Sequence, residues 1–309
     1  MTATLSQFDR TVAQHGTLMR RTALASVVTA LFLVALKTVA FILTDSVAML
    51  ASLADSGLDV FTSFINLLAV YHALTPADHE HRFGHSKAEP LAGMAQGAFI
   101  AGSAVFLIIE SIQRLIQPRP IEHGGIGLII MAVSIVVTLA LVIAQKIVVR
   151  RTGSIAIGAD SMHYISDLLT NVGVVVGIVL ATNFAILIAD PIMGILIALV
   201  IAYSAWHVFR QSYDQLMDRE LPDADRERIK AIVLHNATVQ NMHDLRTRSA
   251  GTRSFIQLHI ELDPAVSLRR AHDVSDEVEA AIRADFPNAE IIIHQDPEGF
   301  ERPDTLAKS

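Results

Sequence analysis

The sequence predicts a polytopic α-helical membrane protein, in which six transmembrane helices are followed by a small α+β domain. Of its 309 residues, 52% are hydrophobic, and apolar runs of about 20 residues recur over the first two thirds of the chain. After Arg210 the composition changes, because residues 214–300 contain about half of all charged residues in little more than a quarter of the chain. The chain contains no cysteine, which excludes a disulfide framework and leaves histidine and carboxylate as the available metal ligands.

The predicted spans lie at about 22–44, 46–73, 88–116, 124–149, 154–181 and 184–209. Their orientation follows from lysine and arginine, which are in excess in cytoplasmic loops. One side carries Arg20, Arg21, Arg82, Lys87, Lys146, Arg150, Arg151 and Arg210, and the other carries Arg114 and Arg119. Both termini are therefore predicted to be cytoplasmic. The predicted domains are a cytoplasmic tail (1–21), a six-helix transmembrane domain (22–213), a cytoplasmic domain (214–300) and a second tail (301–309).

The transmembrane part contains a pattern that is typical of an internal repeat. Shifting the chain by 108 residues aligns Asp59 with Asp167 and Thr62 with Thr170, and it aligns Asp55 with His163. Because the second and fifth predicted spans run in opposite directions, spans 1–3 and 4–6 are candidate inverted repeats. Many transporters use this 3+3 arrangement to form a substrate site near the bilayer midplane.

The aligned polar residues form the first candidate site. Asp55 and Asp59 share one helix face at i, i+4 spacing, and His163 and Asp167 repeat that spacing. Acids within a span are costly and usually face a partner, an ion or water. Three carboxylates and one imidazole suit a four-coordinate divalent ion, for which Zn²⁺ fits best and Fe²⁺ is the second candidate. The alternatives are hydrogen bonds to neighbouring helices or a proton relay.

Two further groups of potential ligands lie outside the predicted spans. The loop 78–85 contains three histidines and two acids, and it is interpreted as a chelating loop or as a solvated polar loop. The cytoplasmic domain contains His243, His259, His272, His294 and Asp296, which form a ligand cluster or are surface residues. This domain is predicted to contain a helix at 222–236, strands at 242–249 and 254–262, a helix at 268–286 and a strand at 291–294.

Motifs distributed over nearly the whole chain resemble the cation diffusion facilitator family, most closely its bacterial zinc and iron efflux branch. They are DxxxD at 55–59, HxxxD at 163–167, the loop ending in FGHSKAE, HDLRTR at 243–248 and IIIHQDP at 291–297. The resemblance implies a homodimer in the bacterial inner membrane that exchanges a divalent metal for protons by alternating access. It also implies a metallochaperone-like αββαβ fold for the cytoplasmic domain.

The resemblance assigns roles to particular residues. Asp55, Asp59, His163 and Asp167 would be the transport site, and Asp78, His81 and His85 the loop site. His243, His259, His272, His294, Gln295 and Asp296 would be a binuclear site at the dimer interface, with Zn²⁺ as a structural as well as a transported ion. Lys87 and Asp218 would form a salt bridge between protomers.

Metal and protons compete for such ligands, because a ligand must be deprotonated to bind a metal. His163 can change its charge near physiological pH and is the expected proton carrier. The chain has no Walker A motif, so ATP is not an expected energy source, and no nucleic acid is an expected partner. Two alternative functions are a membrane metal sensor and a metal-dependent intramembrane hydrolase, although no separate general base lies near the acids. Zn²⁺ and Fe²⁺ remain alternatives.

Overall fold

The computed structural model describes residues 2–44, 47–117, 125–184 and 189–299. The predicted tail 301–309 lies outside the described residues, as do the predicted beginnings of the spans at 46 and 124. The chain divides into two compact units, of which one comprises residues 14–213 and the other comprises the N-terminal residues up to 13 together with the chain from 214 onward.

Long helices account for the first unit and extend beyond its bounds at both ends. They are α1 (Thr2–Thr44), α2 (Val47–Ala73), α3 (Ala88–Ile116), α4 (Gly125–Thr152), α5 (Ile155–Phe184) and α6 (Ala189–Leu216). Within the described residues, four segments are long and apolar enough to cross a membrane: Gln14–Leu43, Ala88–Ile116, Ile129–Thr152 and Pro191–Leu216. The other two helices, α2 and α5, carry the acids and the imidazole of the first candidate site. The predicted six-span count is therefore confirmed for four helices and stays a prediction for these two.

Helix α1 begins about 20 residues before the first predicted span, at Thr2. Hydropathy locates only the apolar part of a helix, whereas backbone hydrogen bonding continues through polar residues as well. The segment 2–21 contains no proline and a single glycine, Gly16, so nothing in it interrupts the helix.

Two core clusters show how helices of the first unit pack together. One core cluster joins α1, α2, α4 and α5 through Met19, Ala23, Val70, Val148, Ala156 and Ile157. A second joins α3 to α6 through Ile100, Ala104, Ile201 and Ala205. Gly97 allows these two helices to approach closely, since a Cβ there would lie 3.3 Å from the backbone nitrogen of Phe209. Large apolar side chains such as Phe106 and Tyr203 are 69% and 73% exposed, as expected for a lipid-facing surface.

The cytoplasmic domain has the predicted αββαβ order. Its elements are α7 (Asp223–Leu234), β1 (Asn241–Ala250), β2 (Arg253–Leu262), α8 (Leu268–Asp285) and β3 (Ala289–Pro297). The strands form a sheet in the order β1-β2-β3, in which β1 is antiparallel and β3 is parallel to the central β2.

The alternation of apolar and polar residues along β2 determines which face of the sheet is buried. Ile256, Leu258, Ile260 and Leu262 are buried and pack against the apolar stripe of α8, which consists of Val274, Val278 and Ile282. Ser267 caps the N-terminus of α8, because its hydroxyl oxygen accepts a hydrogen bond from the backbone N–H of Arg270. The opposite face of β2 presents Gln257 and His259, and the histidine belongs to a candidate metal site.

Candidate metal sites

The first candidate site lies where α2 and α5 contact each other. His163 Nε2 lies 3.1 Å from Asp59 Oδ1 and 3.9 Å from Asp167 Oδ2. One ligand atom from each of the three residues falls within 4.8 Å of the others. Their side chains are only 9% (Asp59), 8% (His163) and 24% (Asp167) exposed. Carboxylates in such surroundings are costly unless they are paired or coordinate a cation.

The residues of this site differ in whether the protein supplies them with hydrogen-bond partners. Thr62 Oγ1 donates to the Asp59 carbonyl oxygen at 3.1 Å and lies 3.5 Å from His163 Nε2. Asp167 Oδ2, in contrast, is buried and has no hydrogen-bond partner among the described residues. Buried polar atoms nearly always have a partner, and an exception can mark the position of an ion. This oxygen is therefore available to a cation.

Asp55 is the fourth residue that was predicted for this site. It lies one turn before Asp59 on α2, but its side chain is exposed and is not grouped with the other three. The structure thus brings together Asp59, His163 and Asp167, and the membership of Asp55 stays a prediction.

A buried polar network lies one turn from His163 and was not predicted from the sequence. Asp160 is 0% exposed, and its two carboxylate oxygens accept hydrogen bonds from Gln96 Nε2 (3.2 Å) and Gln145 Nε2 (2.7 Å). Gln145 Nε2 also donates to Ser26 Oγ at 3.0 Å. The network therefore connects α1, α3, α4 and α5. The available signal was the presence of isolated amides, Gln96 and Gln145, in apolar helices.

Tyr164 connects α2 to the same network. Its hydroxyl lies 2.9 Å from Ser63 Oγ and donates to the Ser26 carbonyl oxygen at 3.3 Å. Because Tyr164 follows His163 directly, these bonds hold the part of α5 that carries the imidazole against α1 and α2.

The second candidate site is the loop between α2 and α3. Asp78 Oδ1 accepts hydrogen bonds from the backbone N–H groups of Glu80 (3.0 Å) and His81 (2.6 Å). The bond from His81 is the main reason why the pKa of the Asp78 carboxyl is lowered. Gly84, at φ +80°, donates its N–H to the His81 carbonyl oxygen at 2.9 Å and thereby closes a turn that favours glycine. His85 Nε2 lies 3.4 Å from Asp78 Oδ2.

The structure brings the three predicted loop residues together. One ligand atom each from Asp78, His81 and His85 lies within 4.8 Å of the others, and the two imidazole centroids are 4.6 Å apart. His72, near the end of α2, was not predicted, although its ring centroid is only 4.5 Å from that of His85. The carboxylate stays ionised because of its lowered pKa, as a metal ligand requires.

The third candidate site is a row of imidazoles across the cytoplasmic sheet. His259 on β2 is paired in register with His243 on β1 and with His294 on β3. Asp296 Oδ2 lies 2.7 Å from His259 Nδ1 and 3.4 Å from His243 Nε2, while its Oδ1 lies 3.3 Å from His294 Nε2. Partial burial acts to raise the pKa of Asp296, but the His259 hydrogen bond and the imidazoles outweigh it and lower this pKa.

A local irregularity in β1 and one further acid determine where the His243 side chain lies. The register of β1 against β2 shifts between His243 and Arg246, and Asp244 adopts a positive φ of 52°. Such a bulge redirects side chains. Glu261, which is 6% exposed, accepts a hydrogen bond from His243 Nδ1 at 3.1 Å if that nitrogen is protonated. Glu261 was not predicted, although the polar alternation of β2 places it two residues after His259.

Two other predicted residues do not join this group within one chain. His272 lies on α8, is 70% exposed and has its Nε2 3.8 Å from Asp276 Oδ2. Gln295 Nε2 donates to Ser275 Oγ at 2.7 Å. Their roles at an interface between protomers stay predictions, as does the salt bridge between Lys87 and Asp218.

The chain combines apolar helices that carry buried acids and an imidazole with an αββαβ domain. This combination is typical of a membrane protein that binds or transports cations. Two family models match the chain: the cation efflux transmembrane domain over residues 23–217, and the cytoplasmic domain of cation efflux proteins over residues 221–298. The chain therefore belongs to the cation efflux family, which confirms the resemblance to cation diffusion facilitators. It is a membrane transporter and not an enzyme.

Curated relatives match over most of their length. A cation-efflux pump, FieF, of Shewanella oneidensis is 46% identical over 273 residues, which cover 88% of this chain and 92% of the relative. Protein p34 of Rickettsia rickettsii is 42% identical over 284 residues, covering 92% and 94% respectively. Among solved structures, the metal-bound C-terminal domain of a CzcD transporter from Thermotoga maritima is 28% identical, with a TM-score of 0.25, and covers 26% of this chain and 93% of that structure.

Proposed function

We propose that this protein exports a divalent metal cation, with Zn²⁺ as the first candidate and Fe²⁺ as the second, in exchange for protons. It acts as a homodimer in the bacterial inner membrane, with both termini in the cytoplasm. The observation that carries the proposal is the buried group of Asp59, His163 and Asp167, in which one carboxylate oxygen has no hydrogen-bond partner among the described residues.

The chemistry of these side chains explains why metal and protons compete. Imidazole and carboxylate suit Zn²⁺ and Fe²⁺, and both groups bind a metal only in their deprotonated forms. His163 Nε2 faces both carboxylates, so a proton on this nitrogen is held by the same groups that would hold the cation. A divalent ion and a proton on His163 are therefore alternative occupants of the site.

This competition gives a transport cycle. The cation loads from the cytoplasm with loss of protons, and the helices rock to expose the site to the opposite side. Protonation of His163, with one of the acids, helps to release the cation there. The protonated site then returns and carries H⁺ inward, so a proton gradient across the membrane drives export.

The domain assignment supports this cycle. Residues 22–213 form the transport domain, between a cytoplasmic tail (1–21) and a metal-binding and dimerisation domain (214–300). Asp78, His81 and His85 hold the cation at the cytoplasmic mouth. His243, His259, His294 and Asp296, with His272 and Gln295, hold Zn²⁺ between two copies, while Lys87 and Asp218 pair across the same dimer. Metal binding in the cytoplasm would thereby favour dimers that are competent for transport.

The relatives favour export over the two alternatives. A relative that is 46% identical over 88% of the chain is named a cation-efflux pump. A membrane sensor would bind metal without flux, and a hydrolase would need a separate general base. Among the described residues, the buried Asp160 lies one turn from His163. It is not free to act as that base, because both of its carboxyl oxygens already accept hydrogen bonds from amides.

The test is zinc uptake into proteoliposomes with and without a pH gradient, for the wild type and for Asp59→Ala. We expect uptake that depends on the gradient and is lost in the variant. Zinc binding by the wild type without any flux would contradict the proposal and favour the sensor. Flux that is unchanged in Asp59→Ala would show that the cation takes another route.

A further inference from the structure

Lys37 is a buried basic residue within α1 for which the proposed cycle has no role. It is 8% exposed, and its Nζ donates hydrogen bonds to Ser56 Oγ at 2.6 Å and to the Ser52 carbonyl oxygen at 3.2 Å. Both acceptors belong to α2, on either side of Asp55 in the sequence. A lysine in a membrane span usually extends its ammonium group toward the interface, but here that group is fixed inside the helix bundle.

The ammonium group lies close to the proposed transport site. Its acceptors Ser52 and Ser56 flank Asp55 on α2, and Ser56 lies one turn before Asp59, so the ammonium group is held within about one helical turn of two carboxylates. Charged groups inside a membrane are expensive and are retained where they pair with other charges or serve transport. The hydrogen bonds to α2 hold Lys37 in place without using either carboxylate as a direct partner.

A count of charges shows what the ammonium group does. With Asp55, Asp59 and Asp167 ionised and His163 neutral, as metal binding requires, the four proposed ligands carry three negative charges. Asp160 is counted as protonated, because a fully buried acid whose oxygens are held by two neutral amides favours its uncharged form. Lys37 reduces this total to two negative charges, which a divalent cation neutralises completely. Since the cost of a net charge in a low-dielectric interior is large, a neutral loaded site can change conformation inside the membrane most easily.

We propose that Lys37 is a resident counter-cation of the transport site, which makes the site electrically neutral when a divalent cation is bound. The inference rests on the proposed function and deepens it, because it sets the charge of the ion that is carried. Loss of the positive charge leaves a loaded site with one excess negative charge. Such a site binds Zn²⁺ more tightly, releases it more slowly and moves less readily.

The first test measures zinc affinity by calorimetric titration of the full-length dimer in lipid nanodiscs. Asp59→Ala is titrated in parallel, so that the binding lost in this variant identifies the contribution of the transport site. We expect Lys37→Gln to bind Zn²⁺ at this site about tenfold more tightly or better. The substitution removes the repulsion between the ammonium group and the cation, which is strong at low effective dielectric. In proteoliposomes the same variant should have a lower KM and a lower kcat.

Two variants separate charge from packing. Lys37→Arg keeps the charge, and Ser56→Ala keeps Lys37 but removes its hydroxyl acceptor. Both should bind Zn²⁺ with an affinity much closer to that of the wild type than to that of Lys37→Gln. The proposal is overturned if folded Lys37→Gln binds with unchanged or weaker affinity. If the wild type shows no Asp59-dependent binding at all, then the proposed transport site is itself wrong.

A second measurement needs no variant of Lys37. Exchange of radioactive zinc for unlabelled zinc across proteoliposomes uses only the loaded form of the site. A neutral loaded site predicts an exchange rate that does not respond to a potential set with K⁺ and valinomycin. One uncompensated charge that crossed a potential of about 100 mV would shift the equilibrium between the two orientations of the loaded site by about 50-fold, and an exchange rate that follows the potential would refute neutrality.

Discussion

The replacement of Asp160 by alanine tests whether the buried network stabilises the transmembrane helices. The substitution removes both acceptors of the Gln96 and Gln145 amides, at 3.2 and 2.7 Å. Each buried donor that is left without a partner costs about 1–3 kcal/mol, so the loss is about 2–6 kcal/mol in total. We expect a clearly lower thermal midpoint for the full-length protein in detergent, measured by fluorescence-detected size-exclusion chromatography after heating.

Two comparisons make this prediction specific. Asp160→Asn retains one acceptor oxygen. The buried Oε1 atoms of Gln96 and Gln145 have no hydrogen-bond partner in the described part of the chain, so they can accept from the new amide after a flip. This variant should therefore be less destabilised than Asp160→Ala. Ser166→Ala is the matched control, because the Ser166 hydroxyl donates within its own helix, to the Met162 carbonyl oxygen at 2.9 Å. If Asp160→Ala melts together with Ser166→Ala, the structural reasoning is wrong.

Three further outcomes are expected. Gly97→Val should lower the thermal midpoint through a loss of about 1–3 kcal/mol, because a Cβ at this position would lie 3.3 Å from the Phe209 backbone; an unchanged midpoint would refute close packing of α3 and α6. Acidification should weaken zinc binding by the loop, measured by titration of the wild type against Asp78→Ala, because protons compete with the metal for its ligands; the lowered pKa of Asp78 keeps its carboxylate ionised and available to the metal at neutral pH. His259→Ala should reduce the zinc bound per protomer, measured by elemental analysis, and equal zinc content would exclude this row as a metal site.

The cytoplasmic domain could be predicted closely because its signals are local. Alternation along 254–262 predicts a strand with one buried face, and the structure has β2 over Arg253–Leu262 with Ile256, Leu258 and Ile260 buried. The apolar spacing of Val274, Val278 and Ile282 likewise predicts α8. The alignment of His243, His259 and His294 depends instead on the pairing register, which includes the irregularity in β1 after His243. A single sequence does not specify where such a bulge falls.

The transmembrane sites likewise have one part that could be predicted from the sequence and one part that could not. The i, i+4 spacings place Asp59 on a face of α2 and His163 with Asp167 on a face of α5, and the structure brings these faces together. The partners of Asp160 could not be predicted, because Gln96 is 64 positions away and its contact depends on how the helices pack. The fixed position of Lys37 was missed for the same reason, since its acceptors lie on another helix.

The central claim is that the exported cation is held between α2 and α5. Anomalous diffraction at the zinc absorption edge, from crystals of the zinc-loaded full-length dimer, tests it most directly. The account predicts a zinc peak within coordination distance of Asp59, His163 and Asp167, and the loss of this peak in Asp59→Ala while the cytoplasmic peaks remain. Zinc peaks at the loop and the cytoplasmic sheet alone, from a wild-type protein that transports zinc, would contradict the account.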